Sequence, residues 1–279
     1  KYRMSEKKIR VSQSIIKALD RYTQDKECGL VIEKQYVEGK SIPASEVQAL
    51  GNWFEYECTG ALPPYDPVKP EPKILKSGKM AVGYQRMLPH IENFKAAIKH
   101  YNVTDIEPGV ELKYGNIAGT ADIIAKIDNK PVIIDIKTTG LFDDKWNDYG
   151  WRTEHLAGEF RPKIGLLTQP LHYKWLYKQI HDYDPDFYFW VFSTQNSHDF
   201  KIIKVNIEED LYEEHTQEIQ STLNFLLHSL EHGFKAKPSI SRCAKCHFKD
   251  ECEFAVKIPE VEEVYYSTNI KHLGRNLGD

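Results

Sequence analysis

Three residues in the middle of the chain have the types and spacing to do chemistry on a phosphate. Asp122 closes the small-residue run Gly119-Thr-Ala-Asp, and Asp135 with Lys137 forms Asp-Ile-Lys at the end of an apolar run, Val132 to Ile134. Within a strand, positions two apart share a face, so Asp135 and Lys137 point one way and Ile136 the other. If Asp122 lies on a neighbouring strand, two carboxylates and an ammonium converge. Converging carboxylates repel unless a hard cation neutralises them, and magnesium or manganese favours oxygen donors of this kind. A lysine beside such a cation can orient or activate water and stabilise charge developing on phosphate. Taken singly, the same residues would serve as polar strand ends joined by a surface ion pair.

A second group lies near the C-terminus. Cys243, Cys246 and Cys252 form C-x2-C-x5-C, three soft ligands within ten residues. They need a fourth ligand to complete a tetrahedral zinc site or to hold an iron-sulfur cluster. Cys28 and Cys58 are the candidates, with His247 a weaker third. Thiolate spacing alone does not separate zinc from iron.

The elements that must position these groups follow from periodicity. Helical spacing runs through Val11 to Leu19, Val47 to Tyr56 and Ile91 to Ile98, the second with a start signal at Pro43 and Ser45 and with Gly51 and Glu55 four apart on one face. Residues 59–72 hold five of the chain's 14 prolines and read as a surface loop. From Gly109 the period becomes that of strands. VELKYG, AGTADIIAKID and KPVIIDIKTT form a three-strand meander punctuated by Gly115-Asn116 and Asp128-Asn129. A long loop, Leu141 to Lys163, comes next; Leu166 to Ile180 is then a helix, FYFWVFST and FKIIKVNI are strands, and Glu208 to His232 is an amphipathic helix. Its residues available for burial are Leu211, Ile219, Leu223, Leu226, Leu227 and Leu230. The long loop carries Trp146, Trp151, Arg152, Arg161 and Lys163. Aromatic and basic residues interleaved in this way suit single-stranded DNA, where bases stack and phosphates pair, and suit equally a solvated loop with its tryptophans packed beneath.

Composition bounds the rest. The 279 residues are 41% hydrophobic and 28% charged, and 37 basic against 41 acidic residues give a formal charge of −4. This excludes disorder and collagen-like structure, and a near-neutral chain does not bind nucleic acid by bulk charge, though it can carry a local basic channel. No apolar run approaches the roughly 20 residues of a membrane span, and KYRMSEKKIR is not a signal peptide, so the expected setting is cytoplasmic, without membrane. Five cysteines in such a chain read as metal ligands or core residues and not as a disulfide framework.

The string Gly119-x-x-Asp122, a strand of Val-Ile-Ile, and then Asp135-x-Lys137-Thr138 resembles the PD-(D/E)xK nuclease superfamily, in particular its RecB-like exonuclease branch. Glu111 matches the family's strand glutamate. The resemblance implies that Asp122 and Asp135 bind a divalent metal, Mg2+ or Mn2+, with contact from the Ile136 backbone carbonyl, and that Lys137 serves hydrolysis. Gln169 and Tyr173 match the branch's Q-x-x-x-Y signature, which implies a role in positioning DNA and the metal site. Where that branch often has G-x-x-x-H with a metal-binding histidine, this chain has Gly51-Asn-Trp-Phe-Glu55, so the implied ligand is the Glu55 carboxylate. In the iron-sulfur members of the branch, including AddB and the CRISPR-associated exonucleases, one cysteine precedes the nuclease core and three follow it. The resemblance implies a 4Fe-4S cluster on Cys28, Cys243, Cys246 and Cys252, with Zn2+ the alternative. The family's proline after the first cysteine is Gly29 here.

The expectation is therefore an α/β, restriction-endonuclease-like core, a central mixed sheet flanked by helices. Residues 1–105 would form a helical N-terminal region, 106–235 the nuclease core, and 236–279 the cysteine segment and tail, with an iron-sulfur staple joining the two ends. The implied function is a metal-dependent DNA exonuclease acting on DNA ends or single strands, in DNA processing, recombination, phage replication or CRISPR adaptation. Its partners would be DNA and a helicase, recombinase or CRISPR adaptation protein, since no ATPase signature G-x-x-x-x-G-K-[ST] occurs in the chain. The rival readings are a site-specific endonuclease on the same core and a catalytically silent DNA-binding or assembly subunit.

Overall fold

A computed structural model of the chain describes residues 10–64, 67–142, 151 and 164–256, with the side chains of 164–166 left undescribed. Its contacts divide the chain into two units, Lys1–Lys235 and Ala236–Asp279. The first unit holds α1 (Gln13–Thr23), α2 (Gly29–Ile32) running into a π-helical turn (Glu33–Val37), α3 (Glu46–Thr59) and α4 (Val82–His100) ahead of the sheet. Then come β1 (Thr104–Tyr114), β2 (Ile117–Ile127), β3 (Lys130–Thr139), α5 (Ile164–His181), β4 (Asp186–Ser193), β5 (Phe200–Val205) and α6 (Asp210–His232).

The strands make one five-stranded sheet in sequence order, with β3 and β4 parallel and the other neighbours antiparallel. The meander has a local cause. Asp128 and Asn129 both take positive φ, 50° and 62°, as a tight hairpin of matching twist requires. The parallel step from β3 to β4 needs a crossover, and α5 lies within it.

Alternation along β3 sends side chains to two separate cores. Val132, Ile134 and Ile136 join Leu50, Trp53 and Phe54 of α3 and Tyr84, Met87 and Phe94 of α4. Ile133 belongs instead to the core made with α1, α5 and α6. Asp135 and Lys137, in phase with Ile133, therefore fall on the α1/α5/α6 side.

Helix α6 buries Ile219 and Leu226 of the expected set and packs Leu223 against the core, but not the other three leucines. Its buried residues are Tyr212, His215, Ile219, Thr222, Leu226 and Ser229, while Leu211, Leu227 and Leu230 are exposed. On the buried side two hydrogen bonds tie it to α5: Trp175 Nε1 donates to Thr216 Oγ1 at 2.9 Å, and His172 meets His215 at 3.1 Å. Among the described residues no helix is long and apolar enough to cross a membrane.

Candidate active site

The site forms where β2 and β3 part. Their ladder runs from Ile127↔Lys130 to Ile123↔Ile134. One residue beyond it, Asp122 Oδ2 accepts a hydrogen bond from the Ile136 N–H at 2.8 Å, so a side-chain oxygen satisfies a backbone donor that the partner strand no longer reaches. A strand residue directs its N–H and C=O to the same neighbour, which places the Ile136 carbonyl on Asp122's side.

Asp135 is fully buried, which rules out the surface ion pair. Gln169 of α5 donates from Nε2 to Asp135 Oδ1. Lys137, a quarter exposed, pairs its ammonium with Asp135 Oδ2, which makes no well-directed hydrogen bond. Glu55 lies on α3, which packs on the Ile136 face of β3, and it is coupled electrostatically to Asp135. That helix starts with a capping box, Ser45 N–H to Gln48 Oε1 at 2.8 Å and Gln48 N–H to Ser45 Oγ at 3.3 Å. It approaches β3 closely at Gly51, where a Cβ would stand 3.3 Å from Thr138 Oγ1.

The electrostatics join these residues into one group. Burial raises the Asp122 carboxyl well above the usual range, and Asp135 and Glu55 raise it further. Asp135 is also raised by burial, against the pull of Lys137. Burial and Asp135 lift Glu55 to about 7. Burial alone would lower Lys137, but Asp135 and Asp122 outweigh it and hold the ammonium above its ordinary value. Three buried carboxyl groups, of which Asp135 raises both Asp122 and Glu55, form a donor set suited to a hard cation. As placed, no three His, Cys, Asp or Glu side chains among the described residues are assembled to hold a metal ion.

Residues 99–251, a little over half of the chain, match the PDDEXK-like domain of unknown function (DUF3799). The chain belongs to this family. No curated protein matches the sequence. In structure, this PDDEXK-like chain is similar to a Eubacterium rectale protein provisionally named an exonuclease, with a TM-score of 0.63 and 17% identity over 99% of this chain and 97% of that one. An alkaline exonuclease from Laribacter hongkongensis is more distant, at a TM-score of 0.40 and 10% identity over 81% and 92% of the two chains. At such identities the first likeness concerns the fold.

The other expected residues of the PDDEXK-like chain are distributed as follows. Tyr173 is buried, its ring against Gly119. Glu111 is exposed and paired with Arg10 at 3.1 Å. Trp151 is 4% exposed and packs edge-on against Phe189 at 5.3 Å. This corrects its assignment as a stacking platform, because a buried ring is not offered to a base. Trp146, Arg152, Arg161 and Lys163 lie outside the described residues. Gly29, where the resembling family has proline, sits against Lys235, and a Cβ there would fall 2.4 Å from the Lys235 carbonyl oxygen. Any side chain, proline's included, would collide.

In the second unit Cys243 ends a short helix, α7 (Ile240–Cys243), capped by the Ser239 hydroxyl on Arg242 N–H. The Cys246 N–H bonds to the Cys243 carbonyl at 3.2 Å, and Cys252 follows a 3-10 turn at Lys249–Glu251. Both units hold their described cysteines half-buried.

Two residues absent from the sequence-based set belong beside the site. Lys17 of α1 interacts electrostatically with Asp135 and Lys137. Its setting, Ile-Ile-Lys-Ala-Leu, reads as a solvent-facing lysine on an amphipathic helix, and only the fold reveals otherwise. His172, between Gln169 and Tyr173, is fully buried and bonds through Nε2 to the Ala118 carbonyl at 3.2 Å, tying α5 to β2 one residue before Gly119. Burial and then His215 push it down to about 3, so it is neutral and donates from Nε2.

Proposed function

We propose that the chain is a divalent-metal-dependent deoxyribonuclease that hydrolyses phosphodiester bonds as an exonuclease. The observation that carries this reading is the buried Asp135, held by Gln169 on one oxygen and by Lys137 on the other, beside Asp122 at the point where β2 and β3 separate. Asp122, Asp135, Glu55 and the Ile136 carbonyl would hold Mg2+ or Mn2+, which when bound supplies a Lewis acid and lowers the pKa of water. Asp135 and Asp122 favour the charged form of Lys137, and its proposed part is to donate a hydrogen bond from Nζ to a phosphate oxygen or to the attacking water. Gln169 fixes the rotamer of Asp135 so that this carboxylate is preorganised. Tyr173, a ring against Gly119, would help position the strand by the shape of the pocket wall.

The test is digestion of end-labelled single- and double-stranded DNA with and without Mn2+, beside closed circular DNA. Metal-dependent loss of linear substrates with the circle intact is expected. Asp135→Ala should lower the rate by about a hundredfold or more, the scale of losing a group that stabilises mainly the transition state. Cleavage of closed circles would favour an endonuclease, and full activity in Asp135→Ala would remove the site. The cysteine spacing and the resemblance together carry a separate proposal, a 4Fe-4S cluster on Cys28, Cys243, Cys246 and Cys252 with Zn2+ as the alternative.

A further inference from the structure

We propose that Lys17 is a substrate-binding residue that holds a phosphate of the DNA strand adjacent to the one hydrolysed, an inference that rests on the nuclease reading above. Helix α1 is fastened to the sheet just before it begins. The Val11 N–H bonds to the Asn116 carbonyl at 2.8 Å, and the Ala118 N–H bonds to the Val11 carbonyl at 2.9 Å. This fixes α1 relative to β2, the strand that carries Asp122. Ile15, Ile16, Ala18 and Leu19 are buried in the core shared with α5, and Lys17 is carried among them, half-buried itself.

From there the Lys17 ammonium interacts with Asp135 and Lys137 on β3 and with His172 on α5. It has no hydrogen bond or ion pair among the described residues. The nearby acid does not serve it, since Asp135 already takes Gln169 on one oxygen and Lys137 on the other. Burial, and then the Lys137 charge, lower Lys17 to about 8. A partly buried ammonium without a partner weakens a fold, and the nearby Lys137 and Arg21 charges add repulsion. A purely structural position would favour an apolar side chain of the same length. Two repelling ammonium groups beside a carboxylate site are instead both satisfied when an anion with several acceptor oxygens enters. The scissile phosphate belongs to Lys137 and the aspartates, which leaves the neighbouring phosphate to Lys17.

The experiment uses the full chain as wild type, Lys17→Met and Lys17→Arg. Binding of a short single-stranded oligonucleotide is followed by fluorescence anisotropy in Ca2+ over a range of salt. KM and kcat are measured in Mn2+, and Tm without DNA. Lys17→Met should weaken binding and raise KM by about tenfold, the worth of one charge-assisted hydrogen bond. It should leave kcat within about threefold, as expected for lost uniform binding. The slope of log K against log salt should fall by about 0.7, one phosphate contact on a single strand. Lys17→Arg should restore the slope, and Tm of Lys17→Met should equal or exceed that of wild type.

An unchanged affinity and salt slope in folded Lys17→Met would overturn the proposal, as would a lowered Tm with loss of every function. An effect confined to oligonucleotides with a terminal phosphate would assign Lys17 to the end group and overturn the internal assignment. Wild-type protein that neither binds nor cleaves DNA would overturn the nuclease reading and Lys17's role with it. Active wild type with an indistinguishable Lys17→Met would overturn Lys17 alone.

Discussion

The ring of Tyr173 lies so close over Gly119 that a Cβ on Gly119 would stand 2.4 Å from Tyr173 Cε1 and 2.9 Å from Cδ1. One residue comes from the strand that delivers Asp122, the other from the helix that delivers Gln169. The contact explains why a glycine stands three residues before the first aspartate: it lets α5 press against β2 while Gln169 reaches Asp135. Gly119→Ala should cost about 1 to 3 kcal/mol, the usual range for overpacking, and should impair cleavage by moving α5. Tyr173→Leu in the same chain should recover part of that stability. A double-mutant cycle on Tm would show it as a coupling between the two positions, and strict additivity would count against the contact.

The pH dependence of stability should reveal Lys17. Its value in the fold is about 8, against the ordinary 10.5. A lysine whose folded value is depressed opposes folding while it must stay charged. That penalty is complete below about pH 8 and fades as pH rises toward 10.5, where the unfolded chain also releases the proton. Lys17→Met should therefore be more stable than wild type near pH 7, by at most about 3 kcal/mol at 1.36 kcal/mol per unit. Denaturation at a series of pH values should show the difference shrinking toward pH 10. A difference that grows with pH would contradict the placement of Lys17.

The strands and the acid, acid, lysine set were legible because a period of two, the Asp128-Asn129 turn and the Asp135-Ile-Lys137 string are all local signals. The burial of Asp135 was not, since it depends on α5 supplying Gln169 from across a crossover. The buried face of α6 was legible only in part, through Ile219, Leu223 and Leu226. Leucine content points to Leu211, Leu227 and Leu230 as well, but turning them inward would expose Tyr212, Ile219 and Leu226, which recur at helical spacing on the adjoining face where His215 and Thr216 meet His172 and Trp175 of α5. Trp151 misled because an aromatic among basic residues reads alike on a binding loop and at a core edge. Lys17 gave no signal at all, as its placement needs α1 to be fastened to β2 through Val11.

The cysteine proposal separates Cys58 from the other four. Cys58 packs at the edge of the α3/α4 core, and burial, then Glu55 and Glu57, push its thiol far up, so it is a poor source of thiolate. Cys58→Ser should leave metal content unchanged. Serine at Cys243, Cys246, Cys252 or Cys28 should each reduce it. Anaerobically purified protein should be brown with broad absorbance near roughly 400 nm, as cubane clusters on thiolates give. Iron and sulfide analysis distinguishes this from stoichiometric zinc in a colourless protein. Metal retained after Cys28→Ser would remove Cys28 from the set.

Asp122 carries two tasks that substitution can divide. Its Oδ2 accepts the Ile136 N–H at 2.8 Å, and its charge is raised in energy by burial and by Asp135 and Glu55. Asp122→Asn keeps an oxygen acceptor while removing the charge, so the metal-free protein should be at least as stable as wild type. Asp122→Ala deletes the acceptor and leaves a buried backbone donor unmet, a loss of about 1 to 3 kcal/mol. Both variants lack the carboxylate proposed to hold the cation, so both should lose cleavage by about a hundredfold or more. Both should also lose the rise in Tm that Mn2+ gives the wild type, because a cation that binds only the folded site stabilises it by mass action. The measurements are Tm with and without Mn2+ and the cleavage rate for each variant. An Asp122→Asn protein that retains the Mn2+ shift would show that the cation is held elsewhere, whereas an Asp122→Ala protein as stable as Asp122→Asn would show that water satisfies the Ile136 N–H at the splayed end of the two strands.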